Sequence, residues 1–128
     1  MNRQIKFRAW DADMNEMVMV SGIQFNAHSP KEKPNIIDEH NDMHDLDEVV
    51  LMQFTGLKDK NGNDIYEGDI VCHTVTDGST VKNIIVFEEG SFKMKLMYEI
   101  ATLTPKDWSV HTEIIGNIFE NPELIKST

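Results

Sequence analysis

The chain has 128 residues, 40% of them hydrophobic and 27% charged, which fits one soluble domain able to bury a core without staples. Its 22 acidic residues against 12 basic ones give a formal charge of −10, a field that repels nucleic-acid backbones and acidic membranes. A lone cysteine, Cys72, excludes an internal disulfide and a cysteine-built zinc site. No stretch approaches the ~18 apolar residues of a membrane-spanning helix, and the N-terminus lacks the apolar core of a signal peptide, so the cytoplasm is the expected compartment.

Ile5 to Trp10 alternates as a half-buried strand does, with Ile5, Phe7 and Ala9 against Lys6, Arg8 and Trp10. Asp11 to Asn15 supplies short side chains that bond to the local backbone and turn the chain. Met17 to Phe25 returns as a strand, with Ser21-Gly22 suited to a bulge. Residues 1–25 are therefore expected as an N-terminal β-hairpin. Residues 26–48 differ in character: Pro30, Pro34, many charges and little apolar content predict a long, flexible acidic excursion, with brief structure around Ile36-Ile37. Its second half, Asp38 to Glu48, holds six acids and two histidines.

Val49 to Phe54 is apolar enough for a central strand, and it leads into the most informative stretch, Thr55 to Val71, T-G-L-K-D-K-N-G-N-D-I-Y-E-G-D-I-V. Asn61-Gly62 is a hairpin signal of type I′, because both residues accept positive φ. Glu67-Gly68-Asp69 reads as a second tight corner, where Gly68 permits close approach of two strands. Further strands are expected at Ile70 to Val75, Thr80 to Phe87 and Ser91 to Met97, punctuated by Asp77-Gly78 and Glu89-Gly90. A helical turn is expected around Lys106 to Trp108, limited by Pro105. Val110 to Phe119 should close the sheet, bulged at Gly116-Asn117, and Asn121-Pro122-Glu123 has the order of a cap, a first-turn proline and a first-turn acid before a short terminal helix. The fold expected is mainly β (β-rich α+β), one domain over 1–128, with residues 49–128 as a small, partly open antiparallel barrel of SH3-like type.

Thr55 to Val71 resembles the signature of the YopX family of phage and prophage proteins. Ile5 to Asp11 (I-K-F-R-A-W-D) and Ile114 to Leu124 (I-I-G-N-I-F-E-N-P-E-L) resemble it too, so the likeness brackets nearly the whole chain. The resemblance implies a phage or prophage origin and a β-rich fold, and it brings no catalytic residues to carry over. Its structural residues are Gly56, Asn61, Gly62, Gly68 and Asp69.

His40 and His44 stand four apart among acids, a spacing that on a helix would grip a metal, but Asn41, Asp42 and Asp45 are poor helix formers and a solvated loop is the plainer reading. Asp59, Asp64, Glu67 and Asp69 could pair for acid–base work, yet each suits a turn. His73 follows Cys72 directly, and neighbouring strand residues point to opposite faces, so the thiol is expected buried and inert. Arg3, Lys6, Arg8 and Trp10 combine basic and aromatic groups as single-strand binders do; against that stands the acidic field, which favours a hairpin face whose charged tips reach water. Of the eight Met, five (Met17, Met19, Met52, Met94, Met97) are expected to fill the core, with a Met-rich recruitment surface as the alternative. The function expected is that of a non-enzymatic accessory protein contacting a host or phage protein, without cofactor or membrane, as a homo-oligomer. The alternatives are a single-stranded DNA or RNA binder using the Arg3–Trp10 face, and a metal-assisted hydrolase using His40 and His44.

Overall fold

The structure, a computed structural model, describes residues 4–26, 31–74, 77–96, 100–101 and 111–125. The chain divides into two compact units, Ile5–Gln53 and Phe54–Thr128 together with Met1–Gln4. The boundary falls inside one strand. Met97, Arg3 and the helical turn expected around Lys106 to Trp108 lie outside the described residues.

In the Ile5–Gln53 unit, β1 (Phe7–Asp11) and β2 (Glu16–Gln24) form the expected hairpin, with Arg8 opposite Met19 and Asp11 opposite Glu16. Asp11 builds its turn: one carboxylate oxygen accepts the amides of Asp13 at 3.0 Å and Met14 at 3.3 Å. The bulge expected at Ser21-Gly22 is present as a register shift between Val20 and Gly22. In residues 31–48 the brief structure expected around Ile36-Ile37 is present, and more of the segment is ordered than the sequence reading gave it. It contains β3 (Asn35–Asp38), β4 (Met43–Asp45) and a 3-10 turn at Leu46–Glu48. β3 pairs with β2 and β4, giving the strand order β4-β3-β2-β1, and the first half of β5 (Val49–Lys58) pairs on the far side of β1. Three and four residues are too few to display alternation. What orders them is tertiary: Ile36 is fully buried beside Ala9 and Val18, and Val20, Ile23, Leu46, Val49 and Leu51 complete this core.

In the other unit, the second half of β5 pairs with β6 (Asp64–Tyr66). Then β7 (Asp69–Thr74), β8 (Thr80–Glu88), β9 (Ser91–Leu96) and β10 (Ile100–Ala101) run as a meander, and β11 (Thr112–Asn117) returns to pair with β7. Ile65, Val71, Ile85 and Met94 form its core, with Leu57, Phe92 and Ile114 against them. The architecture is mainly β and antiparallel, as expected, and it is not a closed barrel: among the described residues the outer strands β10 and β11 do not pair.

One turn and one bulge differ from the sequence reading. Asn61-Gly62 is not type I′, since Gly62 has φ of 84° but Asn61 stays out of the positive region. The type I′ pattern belongs to Glu89-Gly90, with φ of 52° and 80°, between the paired Glu88 and Ser91. The bulge expected at Gly116-Asn117 falls one residue earlier, between Ile114 and Gly116. There a side chain on Gly116 would meet Asn121 Oδ1 at 2.6 Å.

Candidate functional site

The signature stretch of the sequence is built from turns that hold each other. Asp59 is buried at the mouth of the β5–β6 hairpin, where Oδ1 accepts the amides of Asn61 and Asn63, both at 2.9 Å. Its second oxygen accepts the amide of Ile114 on β11 at 3.0 Å. Burial pushes the carboxyl up, and the three amides together outweigh that and hold it below the usual range. Around this bond Lys60 N–H donates to Thr112 O, Asn61 Nδ2 donates to Glu113, and Lys60 Nζ lies 3.6 Å from Glu113 Oε2. Asp69, also buried, accepts the amide of Tyr66 at 2.8 Å and so fixes the next corner. At that corner Gly68 (φ 85°) donates to Ile85 O and accepts from Ile118 N–H. Gly56 (φ 88°) lies in the irregular pairing between Phe54 and Lys58. Asn117 closes the last corner, its Oδ1 accepting the amides of Phe119 and Glu120. Two sequence blocks far apart in the chain thus form one clasp, and their acids and glycines are occupied in making it.

The titratable cluster with unusual geometry lies in the other unit. β4 puts His44 on the core side of its sheet, its side chain only 17% exposed. Nε2 meets Asp38 Oδ2 at 2.7 Å, and Nδ1 faces Asp11 Oδ2 at 3.5 Å. Each carboxylate divides its work. Asp11 gives its other oxygen to the β1–β2 turn. Asp38, 3% exposed, gives its own to the amides of His40 at 2.8 Å and Asp42 at 3.0 Å. A protonated imidazole carries a hydrogen on each nitrogen and here faces a carboxylate with each. The hydrogen bond to Asp38 raises the His44 pKa; burial opposes it, and the fields of Asp38, Asp11 and Asp42 add to it. The same bond lowers Asp38, again against burial and with help from the two amides.

His40 does not share this site. It sits in the exposed β3–β4 turn, 3.8 Å from Glu39 Oε1. The helical face imagined for His40 and His44 is a tight turn instead, in which Asn41 takes a φ of 68°. Among the described residues, the group of ligand-type atoms close enough to share one ion is Asp45, Asp47 and Glu48, without either histidine; Lys33 Nζ already lies 3.2 Å from Asp47 there. The proposed nucleic-acid face also changes. Trp10 is buried, 7% exposed, which removes its ring as a stacking platform, while Lys6 and Arg8 are half-buried. Cys72 is half-buried rather than buried, with His73 buried on the opposite face of β7. Met52 and Met94 are buried as expected, whereas Met19 stands exposed. The reading of the sequence missed Asp11 and Asp38 as partners of His44. The signal was available: I-I-D and M-H-D flank the turn formers Asn41-Asp42, the pattern of a short hairpin.

These two sheets and their clasped turns define a two-unit antiparallel β protein, and comparison with known proteins places it. The chain belongs to the YopX family, whose sequence profile, described as YopX protein, matches residues 6–126. The crystal structure of protein EF1440 from Enterococcus faecalis is similar, with a TM-score of 0.67 and 27% identity over 98% of this chain and 100% of that one. Protein yopX from Bacillus subtilis shares the fold, with a TM-score of 0.64 and 18% identity over 94% of this chain and 98% of that one. No curated protein matches the chain. Among the described residues no helix is long and apolar enough to cross a membrane.

Proposed function

We propose that the chain is a phage- or prophage-encoded accessory protein of the bacterial cytoplasm that binds another protein, of host or phage, and performs no chemistry itself. The observation that carries this reading is where apolar surface is left in water. Among the described residues, the exposed large apolar side chains are Ile5, Met14, Met19, Phe25, Met43 and Val50 in the Ile5–Gln53 unit, against Phe87 and Ile115 in the larger unit. Apolar side chains concentrated in the smaller unit, within an acidic chain, suit a contact surface for a partner. Copies of the chain associate through the outer strands of the other sheet, since an open strand edge favours symmetric pairing.

The test is capture of partners from bacterial lysate by the tagged full chain, with and without nuclease, read by mass spectrometry. One stoichiometric protein that persists after nuclease is the expected result. Capture that disappears with nuclease would replace this reading with nucleic-acid binding, and size-exclusion light scattering of the purified chain tests the self-association.

A further inference from the structure

Resting on the protein-binding reading, we propose that β4 is the docking edge of the Ile5–Gln53 unit, and that it takes up an extended, basic and apolar segment of the partner as an added strand. β4 ends the strand order on its side. Its ladder with β3 fixes which backbone groups point outward. Leu46 N–H donates to Pro34 O and Asp38 N–H donates to Asp42 O, so the mutually bonded pairs recur every second residue and include Ile36 with His44. Asn35–Asp45 and Ile37–Met43 are therefore the intervening pairs, and the N–H and C=O of Met43 and Asp45 face away from β3. Among the described residues the N–H and C=O of neither residue has another hydrogen-bond partner. An edge of this kind is a template for strand addition.

The side chains say what kind of strand fits. Met43 is 64% exposed and offers an apolar seat beside half-buried Ile37. Asp45 lies on the same face two residues on, its carboxylate grouped within 4.8 Å with those of exposed Asp47 and Glu48, and among the described residues Lys33 pairs with Asp47 there. A second copy of β4 would bring this acidic set against itself, whereas a segment with Lys or Arg two residues from a large apolar residue complements both positions. The edge is also held rigid. His44, between Met43 and Asp45, is anchored to Asp38 and Asp11, so the template needs little ordering on binding.

Asp45 permits a clean test. Its φ of −64° and ψ of 139° are those of proline, and its N–H makes no ladder bond. Asp45→Pro thus removes one outward donor and one charge, and Asp45→Asn removes the charge alone. The probe is a fluorescein-labelled peptide T-K-T-L-T-K-T-L-T, followed by anisotropy at low salt, with Glu in place of Lys as control. The lysine peptide should bind the full chain and the glutamate peptide should not. Asp45→Asn should weaken binding about threefold and Asp45→Pro at least about tenfold, both variants keeping the wild-type melting temperature within ~3 °C. In 15N spectra of the wild type, the peptide should slow hydrogen exchange at the Met43 and Asp45 amides. Equal binding of both peptides, no binding of the lysine peptide, or wild-type affinity in Asp45→Pro would each overturn the proposal. The two readings stay distinguishable: a protein captured from lysate equally by wild type and Asp45→Pro leaves partner binding standing and removes β4 from it.

Discussion

The two units hold short strands and tight turns with the same bonds from carboxylate to backbone amide, and differ in what the second carboxylate oxygen meets. In Phe54–Thr128 the turns are tied by carboxylates and amide side chains that accept backbone N–H groups: Asp59, Asp69 and Asn117. In Ile5–Gln53, Asp11 and Asp38 tie their turns in the same way, and their second oxygens meet a histidine that joins the two turns. The first arrangement is legible in sequence because it needs particular residues at particular turn positions. The second is hidden, because its three members come from β1, β3 and β4. The contrast also separates recognition of the family from its function. Asp59, Gly68 and Asp69 make the family visible and are consumed in structure, so the surface available for contact lies mostly elsewhere.

Breaking the first unit's clasp should have the largest effect. Asp59→Ala removes the charged acceptor of three part-buried hydrogen bonds and should cost about 4 kcal/mol in urea unfolding; a loss under ~1 kcal/mol would mean the clasp is incidental. His44→Ala in the other unit strands two largely desolvated carboxylates and should cost about 3 kcal/mol. Gly68→Ala forces a side chain into positive φ and should cost about 1 kcal/mol. At the small end, Met43→Ser on the exposed edge should change stability by less than ~0.5 kcal/mol.

The pH dependence sharpens the same comparison. His44 has a raised pKa when folded, so its contribution is complete below its unfolded pKa, near ~6.5, and is lost as pH rises through the folded value. Asp38 has a lowered one, so its contribution is complete above its unfolded pKa, near ~3.9, and is lost as pH falls through the folded value. The stability difference between wild type and His44→Gln should therefore be greatest between about pH 4 and 6.5 and shrink on both sides. A difference that is constant with pH would show that His44 acts by packing alone.

The sequence conveyed the mainly β class, the first hairpin, the bulge at Ser21-Gly22 and the corner at Gly68, through alternation and through turn and bulge formers, of which Gly68 takes the positive φ that glycine favours. It misled where charge was taken as a sign of solvation. Asp38 to Glu48 reads as a loop, yet His44 and Asp38 neutralise one another and Ile36 supplies the burial that orders the segment. It misled again at Trp10, where alternation assigned the ring to the polar face, correctly, without showing that this face buries the ring as well. Asn61-Gly62 had the composition of a two-residue turn, but Asp59 draws the chain into a wider one by bonding Asn61 and Asn63.

The most direct test of the contact surface compares the exposed apolar side chains of the two units. Met19→Ser/Met43→Ser/Val50→Ser and Phe87→Ser/Ile115→Ser, each verified as folded by its circular dichroism and melting temperature, would be run beside wild type in the nuclease-treated capture. The triple variant should lose the stoichiometric partner and the double variant should retain it. Retention by the triple variant with loss by the double would place the contact surface in the Phe54–Thr128 unit and remove it from Ile5–Gln53.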